Sequence, residues 1–141
     1  HLGNGAHAML PRHPNYLWSQ LAEDRLWASI IADGFHLPRE VIQVFKKVKG
    51  EKLFLVSDAV ALAGLPAGDY DTPVGGKVTL NTEGMLHLRD NTQVLAGSAG
   101  SLLQGVGFLL KNNLVTLSEA WEMASIRPRG LFEKGVQNWT P

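Results

Sequence analysis

Two histidines and an aspartate in this chain have the imidazole and carboxylate groups that serve metal-assisted hydrolysis, and two of these three residues follow a short hydrophobic segment. His1 opens the chain, His36 comes soon after the apolar run 26–32, and Asp58 directly follows the run 52–57. Side chains placed just past the strands of a β/α barrel collect on one face, where the chemistry occurs. The spacing therefore indicates a metal-assisted hydrolase, and it also suggests that the chain is only part of one.

The composition narrows both the class of protein and the kind of metal site. The 141 residues suffice for one domain with a hydrophobic core, and 13 basic and 13 acidic residues give a net charge of zero. That balance favours neither nucleic acid nor an anionic membrane as a partner. Because the chain has no cysteine, a metal must be held by histidine, carboxylate or water. No apolar run approaches the roughly 20 residues of a membrane span, and no signal peptide is visible. The absence of cysteine favours a reducing compartment, and we expect a cytoplasmic protein.

The order of the predicted elements is that of an α/β protein. The apolar runs 26–32 and 52–57 are typical of buried strands, and a helix predicted from Pro38 to Lys49 lies between them. Strand, helix and strand joined by short links favour a parallel βαβ unit. The apolar stripe of this helix is predicted to be Val41, Ile42, Phe45 and Val48.

Residues 64–97 are richer in glycine and contain short alternating runs. Runs 77–80 and 85–88 flank the turn 81–84, which predicts a β-hairpin inserted after the second strand. Asn15 is a typical N-cap for a short helix that follows it. The remaining helices are predicted at 16–22, 99–112, 116–125 and 128–132.

Five short motifs occur in order along the chain. They are H-L-G-N-G, I-I-A-D-G-F-H, L-F-L-V-S-D-A, A-G-L-P-x-G-x-Y and L-A-G-S. Together they resemble N-acetylglucosamine-6-phosphate deacetylase, a family of the amidohydrolase superfamily, over nearly all of residues 1–132. The resemblance implies the C-terminal part of a distorted (β/α)8 amidohydrolase barrel with a β-hairpin insertion. His1 would end the sixth strand, His36 would follow the seventh and Asp58 would end the eighth. The first five strands and a terminal sandwich segment would then be absent from 1–141.

The resemblance also implies an activity and a cofactor. The family hydrolyses the acetyl amide of N-acetylglucosamine 6-phosphate to glucosamine 6-phosphate and acetate in amino-sugar catabolism, with a divalent metal such as zinc or iron. Asp58 matches the catalytic aspartate, which takes a proton from the attacking water and passes it to the leaving nitrogen. His1 matches a metal-binding histidine, whose partner ligands, a Glu and a His, belong to earlier strands.

The other matched positions would bind the amino-sugar phosphate. His36 would contact the sugar and polarise the amide carbonyl, and Asn4 with Gly5 would contact the phosphate, although the family has Ala where Gly5 stands. Arg12 would reach the phosphate across the interface of a homodimer. Leu95, Ala96 and Gly97 match a loop that lies over the substrate.

Each of these residues also has a plainer interpretation. Asp58 suits a turn after a strand, and His1 suits a flexible terminus or a purification remnant. His36 could be a loop histidine bonded to backbone, Arg12 a solvated cation, and 95–97 a glycine turn that enters a helix. Asp33 is expected to fix its loop without a part in catalysis.

Three functions therefore stay open. The first is deacetylation of the amino-sugar phosphate. The second is an amidohydrolase with a different N-acetyl sugar or a cyclic amide as substrate, because the loop around Arg12 departs from the family pattern. The third is an inactive fragment or an assembly unit, since a few parallel strands leave sheet edges uncovered.

We expect the 141-residue chain by itself to bind the catalytic metal poorly and to show no deacetylase activity. Catalytic zinc sites usually take three protein ligands, and the matched positions contribute only His1. Elemental analysis of the purified chain and an assay of acetate release check this expectation. Stoichiometric, tightly held metal together with turnover would contradict it.

Overall fold

The helices and strands follow the predicted order. The computed structural model describes residues 1–4, 9–73 and 75–137, with side chains through residue 133. The strands are β1 (Ala28–Ile30), β2 (Leu53–Leu55), β3 (Gly68–Thr72), β4 (Gly76–Leu80), β5 (Leu86–Leu88) and β6 (Asn91–Leu95). The helices are α1 (Tyr16–Ala22), α2 (Arg39–Lys49), α3 (Leu102–Lys111), α4 (Leu117–Trp121) and α5 (Arg127–Gln137). Among the described residues, no helix combines the length and apolar character that crossing a bilayer requires.

The predicted parallel βαβ unit is confirmed. β1 and β2 pair in parallel, with Ala28 opposite Leu53 and Ile30 opposite Leu55. These four side chains are buried in one core with α2 and α3, whereas Ser29 and Phe54 on the opposite face are only half-buried. The predicted buried strands are thus buried on one face, and the described residues cover the other face less completely.

The predicted buried stripe of α2 needs one correction. Ile42 and Phe45 are buried, but Val48 is 49% exposed. Lys49 lies on the same face as Ile42 and Phe45, and its stem is buried while its Nζ donates to the Glu23 carbonyl 2.9 Å away. The helix ends at Gly50, which takes a φ of 52°, a value that glycine adopts more readily than other residues.

The predicted hairpin is part of a larger antiparallel sheet with strand order β3-β4-β5-β6. β4 pairs with β5 across the predicted turn, where the Asn81 side chain accepts from the N–H groups of Glu83 and Met85. A second core lies under this sheet. Its buried members are Leu62, Val78, Leu80 and Leu86.

The C-terminal helices begin at capped residues. Ser101 and Gln104 form a capping box at α3, and Thr116 accepts from the Glu119 N–H at α4. A predicted restart at Pro128 with an end near residue 132 is wrong. The π-helical segment Glu122–Ile126 leads directly into α5, which continues to Gln137. Proline lacks an N–H, and the local change to π geometry just before it accommodates that loss without breaking the helix.

Arg127 ties these helices to the start of β2. Its Nη1 donates to the carbonyls of Gly50 at 3.1 Å and Leu53 at 2.9 Å. Its Nη2 lies 3.9 Å from a Glu119 oxygen and 3.5 Å from a Glu122 oxygen. The side chain is 10% exposed, so these contacts are largely shielded from water.

Replacing Arg127 with methionine should therefore lower the free energy of unfolding by about 2–3 kcal/mol, the range for lost hydrogen bonds from a charged donor. Urea denaturation measures the change. Arg129→Met is the matched control, because Arg129 lies on the same helix, is 78% exposed and, among the described residues, has Glu133 as its only ion-pair partner. Equal midpoints for the two variants would contradict the tie described for Arg127.

Candidate functional site

The parallel pairing of β1 with β2 and a backbone hydrogen bond from residue 2 to β1 bring the predicted site residues together. The Leu2 N–H donates to the Ser29 carbonyl at 2.8 Å, which places residues 1–2 beside β1. The Val56 N–H donates to the Ile30 carbonyl at 3.0 Å, which extends the β1–β2 pairing past the strand ends. Because parallel strands end at the same edge of a sheet, the side chains that follow them meet there.

Four side chains at this edge form what we term the His–Asp cluster: His1, Asp33, His36 and Asp58. His1 Nε2 lies 3.4 Å from Asp58 Oδ2. The rings of His1 and His36 meet edge to face with centroids 5.4 Å apart. His36 Nδ1 lies 2.7 Å from Asp33 Oδ2. The proximity predicted from spacing alone is thus present in the fold.

Asp33 fixes the loop after β1, as expected. Its Oδ1 accepts from the N–H groups of Phe35 at 2.9 Å and His36 at 3.0 Å. Burial by itself raises the pKa of Asp33. The hydrogen bonds from the His36 ring and from the two N–H groups outweigh burial, so the pKa lies below its usual value. Asp33 is therefore an ionised acceptor at neutral pH.

Asp58 has a backbone conformation that is unusual for a residue other than glycine. Its φ is 47°, in the left-handed region that residues other than glycine seldom adopt. Its side chain is 63% exposed, whereas the His1 side chain beside it is 5% exposed. The carboxylate therefore has one buried imidazole neighbour and an open side that water or a ligand can approach.

The segment 95–97, predicted as a loop, lies beside Asp58, although its first residue, Leu95, is the last residue of β6. Ala59 and Ser98 form a parallel β-bridge, in which the Val60 N–H donates to the Ser98 carbonyl at 2.9 Å. Gly97 has a φ of 108°, and a Cβ there would lie 2.7 Å from Val60 Cγ1. The glycine of the L-A-G-S motif is thus needed for this close approach.

The residues predicted to contact the phosphate are not gathered at the His–Asp cluster as the other site residues are. Asn4 is exposed and adjoins the cluster through its N–H, which donates to the His1 carbonyl at 3.3 Å. Arg12 is exposed in the loop before α1, and no contact among the described residues joins its side chain to the His–Asp cluster. Gly5 lies outside the described residues.

The described residues do not assemble a metal site by themselves. Among them, no group of three or more histidine, aspartate and glutamate side chains could hold a metal ion. His1 Nδ1 is buried without a hydrogen-bond partner in the described part of the chain, and His1 with Asp58 offers suitable donor types. Two such groups fall short of the three protein ligands typical of catalytic zinc, so a complete site needs further donors.

The pairing of Asp33 with His36 is a site feature that was not predicted from the sequence. The available signal was the spacing of three residues between an aspartate and a histidine just after a strand. Short aspartate side chains commonly bond to groups two or three residues ahead, so this spacing predicts the turn. It does not predict the ring orientation, which depends on packing against His1.

No protein-family model matches the chain, but individual relatives do. A protein of Escherichia coli K12 named "Putative N-acetylgalactosamine-6-phosphate deacetylase" is 32% identical over 128 residues, which are 91% of this chain and 74% of that relative. The N-acetylglucosamine-6-phosphate deacetylase of Vibrio furnissii is 30% identical over 91% of this chain and 31% of its own length. The chain belongs to the N-acetylglucosamine-6-phosphate deacetylase family.

Solved structures show the same relationship. The N-acetylglucosamine-6-phosphate deacetylase of Pasteurella multocida matches with a TM-score of 0.70 and 30% identity over 79% of this chain and 28% of that one. The enzyme from Thermotoga maritima matches with a TM-score of 0.70 and 28% identity, over 86% of this chain and 32% of the Thermotoga chain. The chain thus spans about a third of most of these family members, corresponding to their C-terminal portion.

The glycine of the H-L-G-N motif makes a testable packing contact. Gly3 has a φ of 80°, and a Cβ on it would lie 2.7 Å from Leu37 Cδ2 and 3.1 Å from Phe45 Cε2. Gly3→Ala should cost about 1–2 kcal/mol for the left-handed backbone and about 1–3 kcal/mol more for overpacking. Urea denaturation measures the total loss in the free energy of unfolding.

Gly64→Ala is the matched control, since Gly64 has a φ of 83° but nothing within 4 Å of the added Cβ. It should show the backbone cost alone. If Gly3→Ala were no more destabilising than Gly64→Ala, the close packing of the motif against α2 would be contradicted.

Proposed function

We propose that this chain is the C-terminal part of a metal-dependent deacetylase that hydrolyses the acetyl amide of an N-acetylated amino-sugar 6-phosphate. The observation that supports this most is the 3.4 Å contact of His1 with Asp58 at the carboxyl edge of the parallel strands. Membership of the family supplies the reaction type. Because its relatives are named for both glucosamine and galactosamine phosphates, the configuration at C4 of the sugar is a question for the assay.

We also propose that β1 and β2 are the last strands of a (β/α)8 barrel. Barrel strands are covered by helices on the outside and by side chains on the inside. The buried outer face and the half-buried face of Ser29 and Phe54 fit that arrangement. The half-buried face would be closed by the strands that complete the barrel.

Asp58 is the proposed proton carrier. Its exposed carboxylate takes a proton from the water that attacks the acetyl carbon, and then donates it to the nitrogen as the C–N bond breaks. The products are acetate and the free amine. A bound divalent cation, such as zinc or iron, supplies water activation and carbonyl polarisation, and His1 would be one of its ligands. The left-handed backbone of Asp58 costs about 1–3 kcal/mol and holds the carboxylate clear of the strand end.

The remaining matched residues are proposed to bind the substrate. His36 lies beside His1 and would contact the amino sugar, and the loop Leu95–Gly97 beside Asp58 would cover it. Asn4 and Gly5 would hold the phosphate near the start of the chain. Arg12 would complete the phosphate contacts from the second subunit of a homodimer, which fits its separation from the cluster within one chain.

The third possibility, an assembly unit without activity of its own, is favoured by one observation. Among the described residues, too few donors meet to hold a metal. A test of Asp58 therefore needs the whole barrel, which a chimera provides when this chain replaces the matching third of the Vibrio furnissii enzyme.

We expect the chimera to release acetate from an N-acetylated amino-sugar 6-phosphate, and Asp58→Asn to lower kcat by about 10²–10⁴-fold, the usual contribution of general acid–base catalysis. The control is Asp24→Asn, which changes an exposed aspartate outside the cluster. Undiminished activity of Asp58→Asn in a chimera with stoichiometric metal would contradict the role. Equal turnover of phosphorylated and unphosphorylated sugar would contradict the phosphate contacts.

A further inference from the structure

The two oxygen atoms of the Asp33 carboxylate have different hydrogen-bond partners. Its Oδ1 accepts from two backbone N–H groups, which is sufficient to form the turn. Its Oδ2 is left over and meets His36 Nδ1 at 2.7 Å. The two side chains are 13% and 9% exposed, so little water competes for this bond. The turn by itself needs only Oδ1, so the bond from Oδ2 to His36 is additional to it.

We infer that Asp33 is a positioning residue that fixes the tautomer and orientation of His36, so that Nε2 is the ring nitrogen offered to the ligand. This inference rests on the proposed function, in which His36 contacts the amino sugar. It assigns Asp33 a part in the site beyond its loop.

The protonation of the pair follows from the hydrogen-bond capacity of each group. An ionised carboxylate only accepts hydrogen bonds, so the proton in the Asp33–His36 contact must lie on Nδ1. A neutral imidazole carries one N–H, which leaves Nε2 of His36 as an acceptor.

The ring is also held in place. Turning it over would exchange Nδ1 for a carbon atom and break the bond to Asp33. The edge of one ring against the face of the other, at 5.4 Å, further restricts His36 beside His1. Among the described residues, none hydrogen-bonds to Nε2 of His36, so the hydrogen-bonding capacity of this atom is unused by that part of the chain.

The inference narrows what His36 can do to a substrate. With Nε2 as an acceptor, the neutral ring takes a hydrogen bond from a hydroxyl or an N–H group. Polarising a carbonyl would require a donor at Nε2, and therefore the doubly protonated ring. The neutral form thus suits a sugar hydroxyl or the amide N–H rather than the acetyl oxygen.

The test is the two-bond ¹H–¹⁵N spectrum of the histidine rings in the ¹⁵N-labelled 141-residue chain at about pH 8, where an ordinary histidine is neutral. We expect His36 to be predominantly the Nδ1–H tautomer. Asp33→Asn keeps an oxygen for the turn but replaces Oδ2 with a donor, so it should shift His36 toward the Nε2–H tautomer. An unchanged Phe35 amide resonance would show that the turn persists.

His87 is an internal control in the same spectrum, because its Nδ1 lies 2.9 Å from the Leu88 carbonyl. It should be Nδ1–H in both proteins, and Asp24→Asn should leave both histidines unchanged. An Nε2–H tautomer of His36 in the unsubstituted chain would overturn the inference without any variant. So would an unchanged His36 tautomer in Asp33→Asn. Because no substrate or metal is needed, either failure is separate from a failure of the chimera assay.

Discussion

The backbone pairing of β1 with β2, and of Leu2 with β1, is the constraint on which the rest of the structure depends. Two backbone hydrogen bonds, from Leu2 to Ser29 and from Val56 to Ile30, set the register of all three segments. This register brings the segments to an end at one edge, where the His–Asp cluster forms. A shift by one residue in any segment would turn its functional side chain to the other face.

Unusual backbone conformations around this edge allow the chain segments to pack closely against one another. Gly3 and Gly97 take positive φ values where a Cβ would overlap a neighbouring side chain. Asp58 takes a positive φ although it is not glycine. Backbone strain of this kind persists only where the surrounding contacts enforce it, and it is common at functional sites. The motifs that mark the family are therefore also the places where the backbone is most constrained.

Much of this arrangement could be predicted from the sequence, because it depends on local patterns. Apolar runs and the helix between them predicted the parallel unit, and residues just past the strands predicted which side chains meet. Features that depend on tertiary packing were not predictable in this way. Whether Val48 or Lys49 is buried depends on where α2 ends against α1, and the bond between Asp33 and His36 depends on packing around the rings. The path through Pro128 depends on a π-helical segment that has no clear signal in residue types.

The most direct test is a measurement of nuclear Overhauser effects between the ring protons of His1 and the β-protons of Asp58 in the 141-residue chain. The 3.4 Å contact of His1 Nε2 with Asp58 Oδ2 and the 5.4 Å separation of the His1 and His36 ring centroids predict a cross-peak from His1 to at least one of these two residues. An assigned spectrum of the folded chain in which His1 shows no cross-peak to either residue would contradict the assembly of the site by this backbone pairing.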